Sequence, residues 1–91
     1  MKGTEKQITW ANDIIQESRN TIAANIARFA ELGLERDVKI WNMVSEQYET
    51  AISKIDNAAF VVDHRSSLNS SSVMTAYNQI NIMVSNGKIK L

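Results

Sequence analysis

No proline interrupts the chain, and its three glycines stand at positions 3, 33 and 87. A chain so free of helix breakers can run in long helices, and the glycines fall where a start, a hinge and a stop would be needed. The clearest start signal lies beside the first of them, in GTEKQITWA, residues 3 to 11. Thr4 and Gln7 fit a capping box, in which the Thr4 hydroxyl accepts from the Gln7 amide and the Gln7 side chain reaches back to the cap. Downstream, Ile8, Ala11, Ile15, Ile22, Ile26 and Phe29 recur at spacings of three, four and seven, with Ile14 and Leu32 at the edge of the stripe. Gly33 sits where a left-handed cap would end this helix. Asn20-Thr21, which compete for backbone hydrogen bonds, mark a place where it could bend or break.

A second helix is predicted from Glu35 to Ile55, with Leu34, Val38, Trp41, Val44, Tyr48, Ile52 and Ile55 on one stripe at near-heptad spacing. Two amphipathic helices joined by a short glycine turn read as an antiparallel hairpin. Asp56 is the expected cap of a third, shorter helix through Ala58-Ala59-Phe60-Val61-Val62 to Arg65. Its run of apolar residues has no clear period, so a buried strand-like segment is the alternative. Ser66 to Ser72 has the composition of a loop whose last serines could cap the next helix. Val73, Ala76, Tyr77, Ile80, Met83 and Val84 then form one face of a last helix ending at Asn86-Gly87, and Lys88 to Leu91 reads as a frayed tail or a short edge strand. The expected fold is therefore all-α: one domain over residues 1–91, a long helical hairpin with one or two shorter helices packed across it.

Composition narrows the function classes. Ten basic and ten acidic residues leave a formal net charge of zero, which argues against the general attraction that drives binding to a phosphate backbone. Arg19, Arg28, Arg36 and Lys39 do not share one stripe; Lys54, Arg65, Lys88 and Lys90 make the C-terminal part mildly basic. With no cysteine, disulfides and thiolate zinc sites are excluded. His64 is the one histidine, flanked by Asp63 and Arg65, and it lacks the second imidazole, thiol or nucleophile that catalysis or a metal set would need. No calcium-type acidic loop is present. No enzyme activity and no cofactor are expected. No apolar run approaches the roughly 20 residues that cross a bilayer, and Met1-Lys2-Gly3 does not lead into a signal-peptide core.

The informative residues are those the stripes leave out. Trp10, Met43, Met74 and Ile82 fall off the core faces. Either other helices of the same chain cover them, or they form a dimer seam or partner surface, where Trp and Met are enriched. On the second helix Glu35, Asn42, Glu46, Glu49 and Ser53 share a face that is either solvated or a contact for a basic partner. Trp10, beside Glu5, Lys6 and Gln7, has an apolar body and an indole N–H that needs a partner. The segment from Phe60 to Arg65 is its expected dock. Asp63 is expected to meet Lys6 and Arg65 to meet Glu5, which makes the N-terminal stretch a structural clasp.

The first stretch resembles the opening of small bacterial and phage proteins with a G-[ST]-x-K-Q-x2-W-A pattern, many of which carry a later W-I-D-N-R-like segment. Glu5, Lys6, Gln7, Trp10 and Ala11 fall on the first motif; Asp63 and Arg65, in AAFVVDHR, fall on the second, from which Val61, Val62 and His64 depart. The resemblance covers about a third of the chain and brings no reaction or cofactor. It implies a protein of a phage or mobile element; by analogy of size and context with small mobile-element proteins that lack catalytic residues, the chain is expected to bind and block a host protein in the cytoplasm of a bacterial host. By analogy of size and context with anti-CRISPR proteins, a CRISPR nuclease is one candidate, although a neutral chain argues against mimicking DNA over its whole surface. The expected inhibitor is a homodimer, with Trp10, Met43 and Ile82 as apolar contacts and Glu35, Glu46 and Glu49 as acidic ones. The alternatives are a small accessory or regulatory protein that touches nucleic acid, and a purely structural helical oligomer.

Overall fold

The computed structural model describes all residues, Met1–Leu91, and is all-α. The elements are α1 (Glu5–Glu31), α2 (Glu35–Ser53), α3 (Ala58–Asp63), a 3-10 turn (Arg65–Ser67) and α4 (Ser70–Ser85). The capping box forms in both directions, each bond 3.1 Å long. Asn20-Thr21 does not interrupt α1. The Thr21 hydroxyl bonds back to the Glu17 carbonyl and Asn20 accepts from Gln16, so both polar groups are satisfied within the helix.

Gly33, at φ +73°, closes α1 in a Schellman arrangement. The Gly33 N–H donates to the Ala30 carbonyl at 3.1 Å and the Leu34 N–H to the Phe29 carbonyl at 2.9 Å. The chain reverses there, and α2 packs back along α1 to make the hairpin. The segment α3 packs against α1, and α4 lies against both long helices. The resulting body measures 43 × 27 × 18 Å.

Four boundaries differ from the sequence expectation. The short α3 ends at Asp63, with Arg65 already in the 3-10 turn. The second helix stops at Ser53, leaving Ile55 in the connection. The cap of α3 is Asn57, whose Oδ1 accepts from the Ala59 N–H at 2.8 Å; Asp56 instead gives its backbone carbonyl to the Lys2 N–H. The serine-rich segment is a 3-10 turn followed by Asn69, which caps α4 by accepting from the Ser72 N–H, so Ser70–Ser72 are already helical. In both places an Asn, rather than the expected Asp or Ser, satisfies the first free N–H groups of the helix. The apolar run 58–62 is helical, and its alternative as a strand is overturned. The C-terminal tail forms no strand; Ile89 folds back on the core, its N–H bonded to the Met83 carbonyl.

The N-terminal segment docks through a two-bond parallel bridge: Lys2 N–H to Asp56, and Ala58 N–H to the Lys2 carbonyl at 2.7 Å. Gly3 makes this approach possible. Its φ is +145°, and a Cβ there would stand 3.0 Å from the Ala58 Cβ and 3.2 Å from Gln7 Oε1. Gly3→Ala is expected to release the bridge at a cost of about 1–3 kcal/mol. Hydrogen exchange at the Ala58 amide should accelerate while the α1–α2 hairpin keeps its protection.

Candidate interaction surface

Trp10 lies on the first turns of α1, about 40° outside the edge of the buried arc set by Ile14, at 100° per residue. It is 49% exposed, and the Arg65 guanidinium lies over its ring, 5.5 Å from the centroid. Arg65 is also held by the backbone, its Nη1 donating to the Val62 carbonyl at 2.9 Å. The cation is thus fixed by a backbone acceptor and an aromatic face together. Beside Trp10 runs a shallow groove bounded by Glu5, Lys6, Thr9 and Asp13.

The N-terminal segment meets the α3 region, but not through the clasp of Glu5, Lys6, Asp63 and Arg65 that the charge pattern suggested. The two ion pairs of the structure are Arg19–Glu49 and Arg36–Asp37, so neither Asp63–Lys6 nor Arg65–Glu5 forms. Backbone bonds to Lys2, the close approach at Gly3 and the Trp10–Arg65 stack take their place. Surface ion pairs gain little in water, whereas a guanidinium over an indole face gains a cation–π attraction and covers apolar area.

The other expected contacts are divided. Ile82 is 59% exposed, and Met74 is exposed as well, both on α4. Met43 is half-buried and packs on the core, which corrects its expected place on a free surface. Glu35, Glu46 and Glu49 are all exposed, but Glu49 is occupied by a bidentate bond from Arg19, 3.0 and 2.7 Å long. That bond holds the guanidinium in its charged form more firmly than usual, raising the Arg19 pKa against a smaller opposing effect of burial. Glu35 lies beside Arg36 and Lys39, and Glu46 in a shallow dip with Lys54, so the acidic face is interrupted by cations. His64 is exposed; its ring stacks on Phe60, and its Nδ1 lies 3.0 Å from the Phe60 carbonyl. No group of three or more His, Asp or Glu side chains is placed to hold a metal ion, and no helix is long and apolar enough to cross a membrane.

The chain matches no family model, no curated protein and no solved structure.

Gly3 admits Ala58, Thr4 and Gln7 close the cap, Trp10 carries Arg65, and Ala11 is fully buried. The Lys6 and Asp63 side chains make no hydrogen bond or ion pair within the chain.

The fold also holds two polar contacts that the stripes did not reveal. The Ser18 hydroxyl donates to the Leu68 carbonyl at 2.6 Å, and the Tyr48 hydroxyl donates to the same oxygen at 2.8 Å. Burial raises the Tyr48 pKa, partly offset by the Ser18 hydroxyl. On α4, the Tyr77 hydroxyl donates to the Asp37 carboxylate, while Arg36 reaches Asn81 and Ser85 at 2.7 and 3.0 Å. Burial first, and then the Asp37 carboxylate, push the Tyr77 pKa up to about 12 from its ordinary 10.0. The phenol is favoured over the phenolate in the folded state, so its contribution is complete below pH ~10 and is lost as pH rises toward the folded value. Thermal melts between pH ~10 and ~12 should therefore show falling stability, with a shallower fall in Tyr77→Phe.

Proposed function

We propose that this chain is a non-enzymatic binding protein that blocks a host protein by steric occlusion, with the Trp10–Arg65 pair as its anchor. One observation carries the proposal: a half-exposed tryptophan held against a guanidinium that is itself tied to the backbone. Trp and Arg are the residue types most enriched at the energetic centres of interfaces, and a side chain already immobilised loses less entropy on binding. Following the N-terminal motif, the chain belongs to a phage or mobile element, acts in the host cytoplasm, and has a CRISPR nuclease as the first partner to test. Glu35 and Glu46 are the acidic contacts of this proposal; Glu49 is set aside because Arg19 already holds it.

The test is inhibition of DNA cleavage by purified, guide-loaded CRISPR nucleases. The wild-type chain is expected to slow one of them, and Trp10→Ala to weaken that inhibition about 30-fold or more, the scale of a hot-spot residue. A Glu35→Lys/Glu46→Lys variant should inhibit less while keeping its helicity. Unchanged inhibition would remove the acidic face from the mechanism, and a fully active Trp10→Ala protein would remove the anchor. A homodimer is proposed through α4, because Ile82 is the more exposed of its apolar side chains. Sedimentation should then give a dimer mass for the wild type and a monomer mass for Ile82→Asp.

A further inference from the structure

The connection from α2 to α3 bounds a cleft of about 470 Å³, separate from Trp10 and independent of the partner-binding proposal. Its volume lies within the range of small-molecule sites, roughly 300–1,000 Å³. Ile55, Phe60, His64 and Leu68 line it, and Lys54 and Asp56 are on the same lining.

Two features narrow the occupant. The Phe60 and His64 rings stack with centroids 4.0 Å apart and planes 20° from parallel, so each covers one face of the other and an outer ring face is left on which a further aromatic ring can extend the stack. The contact from His64 Nδ1 to the Phe60 carbonyl holds that stack in place. Lys54 and Asp56 carry opposite charges two residues apart, and neither side chain takes part in an ion pair or hydrogen bond within the chain. A simple anion would be opposed by Asp56 and a simple cation by Lys54. An uncharged side chain inserted from a partner polypeptide would leave both charges unanswered.

We propose that the cleft binds a free aromatic α-amino acid. The ring of the ligand lies on the Phe60–His64 face, its carboxylate meets Lys54, and its ammonium meets Asp56. Aromatic stacking supplies the geometry, and the two charges select the zwitterion.

Amide-resolved NMR titrations with four probes test this: L-phenylalanine, 3-phenylpropionate, 2-phenylethylamine and N-acetylphenylalanine amide. L-Phenylalanine is expected to give saturable shifts at Ile55, Phe60, His64 and Leu68, and to bind most tightly of the four. Lys54→Met should weaken L-phenylalanine and phenylpropionate about three- to fivefold and leave phenylethylamine unchanged, as expected for exposed pairs. Asp56→Asn should do the reverse. It should also keep the bridge to Lys2, which uses the Asp56 backbone carbonyl. Absence of saturable shifts, or shifts scattered away from the cleft, would overturn the proposal. So would equal binding of the N-acetyl amide, which would mark the cleft as a pocket for a partner's side chain.

Discussion

Trp41→Ala is expected to lose about 3–5 kcal/mol of folding stability, the range for removing a fully buried large aromatic. A chain of 91 residues has a total of about 5–14 kcal/mol, so the variant should be marginal or unfolded at physiological temperature. Trp41 has no exposed surface and stacks on Tyr77 at 4.8 Å with planes 9° from parallel; Phe29 lies beyond Tyr77 at 6.2 Å. The three rings come from α2, α4 and α1, so one side chain joins the hairpin to the helix that packs on it. The indole Nε1–H is buried and has no hydrogen-bond partner. Trp41→Phe keeps a ring in the stack and deletes that unpaired donor, whose burial costs about 1–3 kcal/mol. Urea denaturation followed by circular dichroism should therefore place Trp41→Phe well above Trp41→Ala. If the two midpoints coincide, the stack is not what joins the helices.

The arcs that pack were legible where one helix meets its neighbours from one side. On α1 the buried residues Ala11, Ile14, Ile15 and Ile22 keep the helical spacing, because α2, α3 and α4 approach from the same side. The second helix, flanked by α1 and α4, buries an equally wide arc, about 100° from Ile40 to Trp41 at 100° per residue, but that arc is displaced from the predicted stripe. The stripe omits Ile40, which is fully buried, and includes Val38, which is half-buried. With neighbours on more than one side, the tertiary arrangement decides which edge of an apolar face is covered.

At the site, sequence proximity identified the segments that meet and misassigned the force between them. Charges on the first turn and around Arg65 suggested ion pairs; the structure uses a backbone bridge and an aromatic–cation stack. The stack depends on the 3-10 turn at Arg65–Ser67, a local geometry that the composition of a serine-rich stretch does not encode. Ser18 was visible in principle. It occupies the middle of the α1 stripe, seven residues after Ala11 and four before Ile22, and a polar residue at such a position needs a buried partner. The partner, a carbonyl 50 residues away in sequence, was not.

That carbonyl gives the second large effect. The Leu68 oxygen takes two hydroxyl donors in a buried place, so Ser18→Ala or Tyr48→Phe alone leaves it one bond and should cost about 0.5–1.5 kcal/mol. The double variant leaves it none and adds the penalty of an unsatisfied acceptor, about 1–3 kcal/mol. A double-mutant cycle in urea should show the pair to be worse than the sum by at least about 0.5 kcal/mol, the lower range for residues sharing a partner. Strict additivity would mean that the oxygen is served by another donor. The consequence reaches the surface, because the backbone from Arg65 to Asn69 is one hydrogen-bonded turn, with the Leu68 and Asn69 N–H groups both donating to the Arg65 carbonyl. Releasing Leu68 frees the turn that aims Arg65 at Trp10. In a Trp41→Phe background, where Trp10 is the one remaining indole, the double variant should change Trp10 emission and weaken partner inhibition together; unchanged emission would show that the turn holds Arg65 without its buried tether.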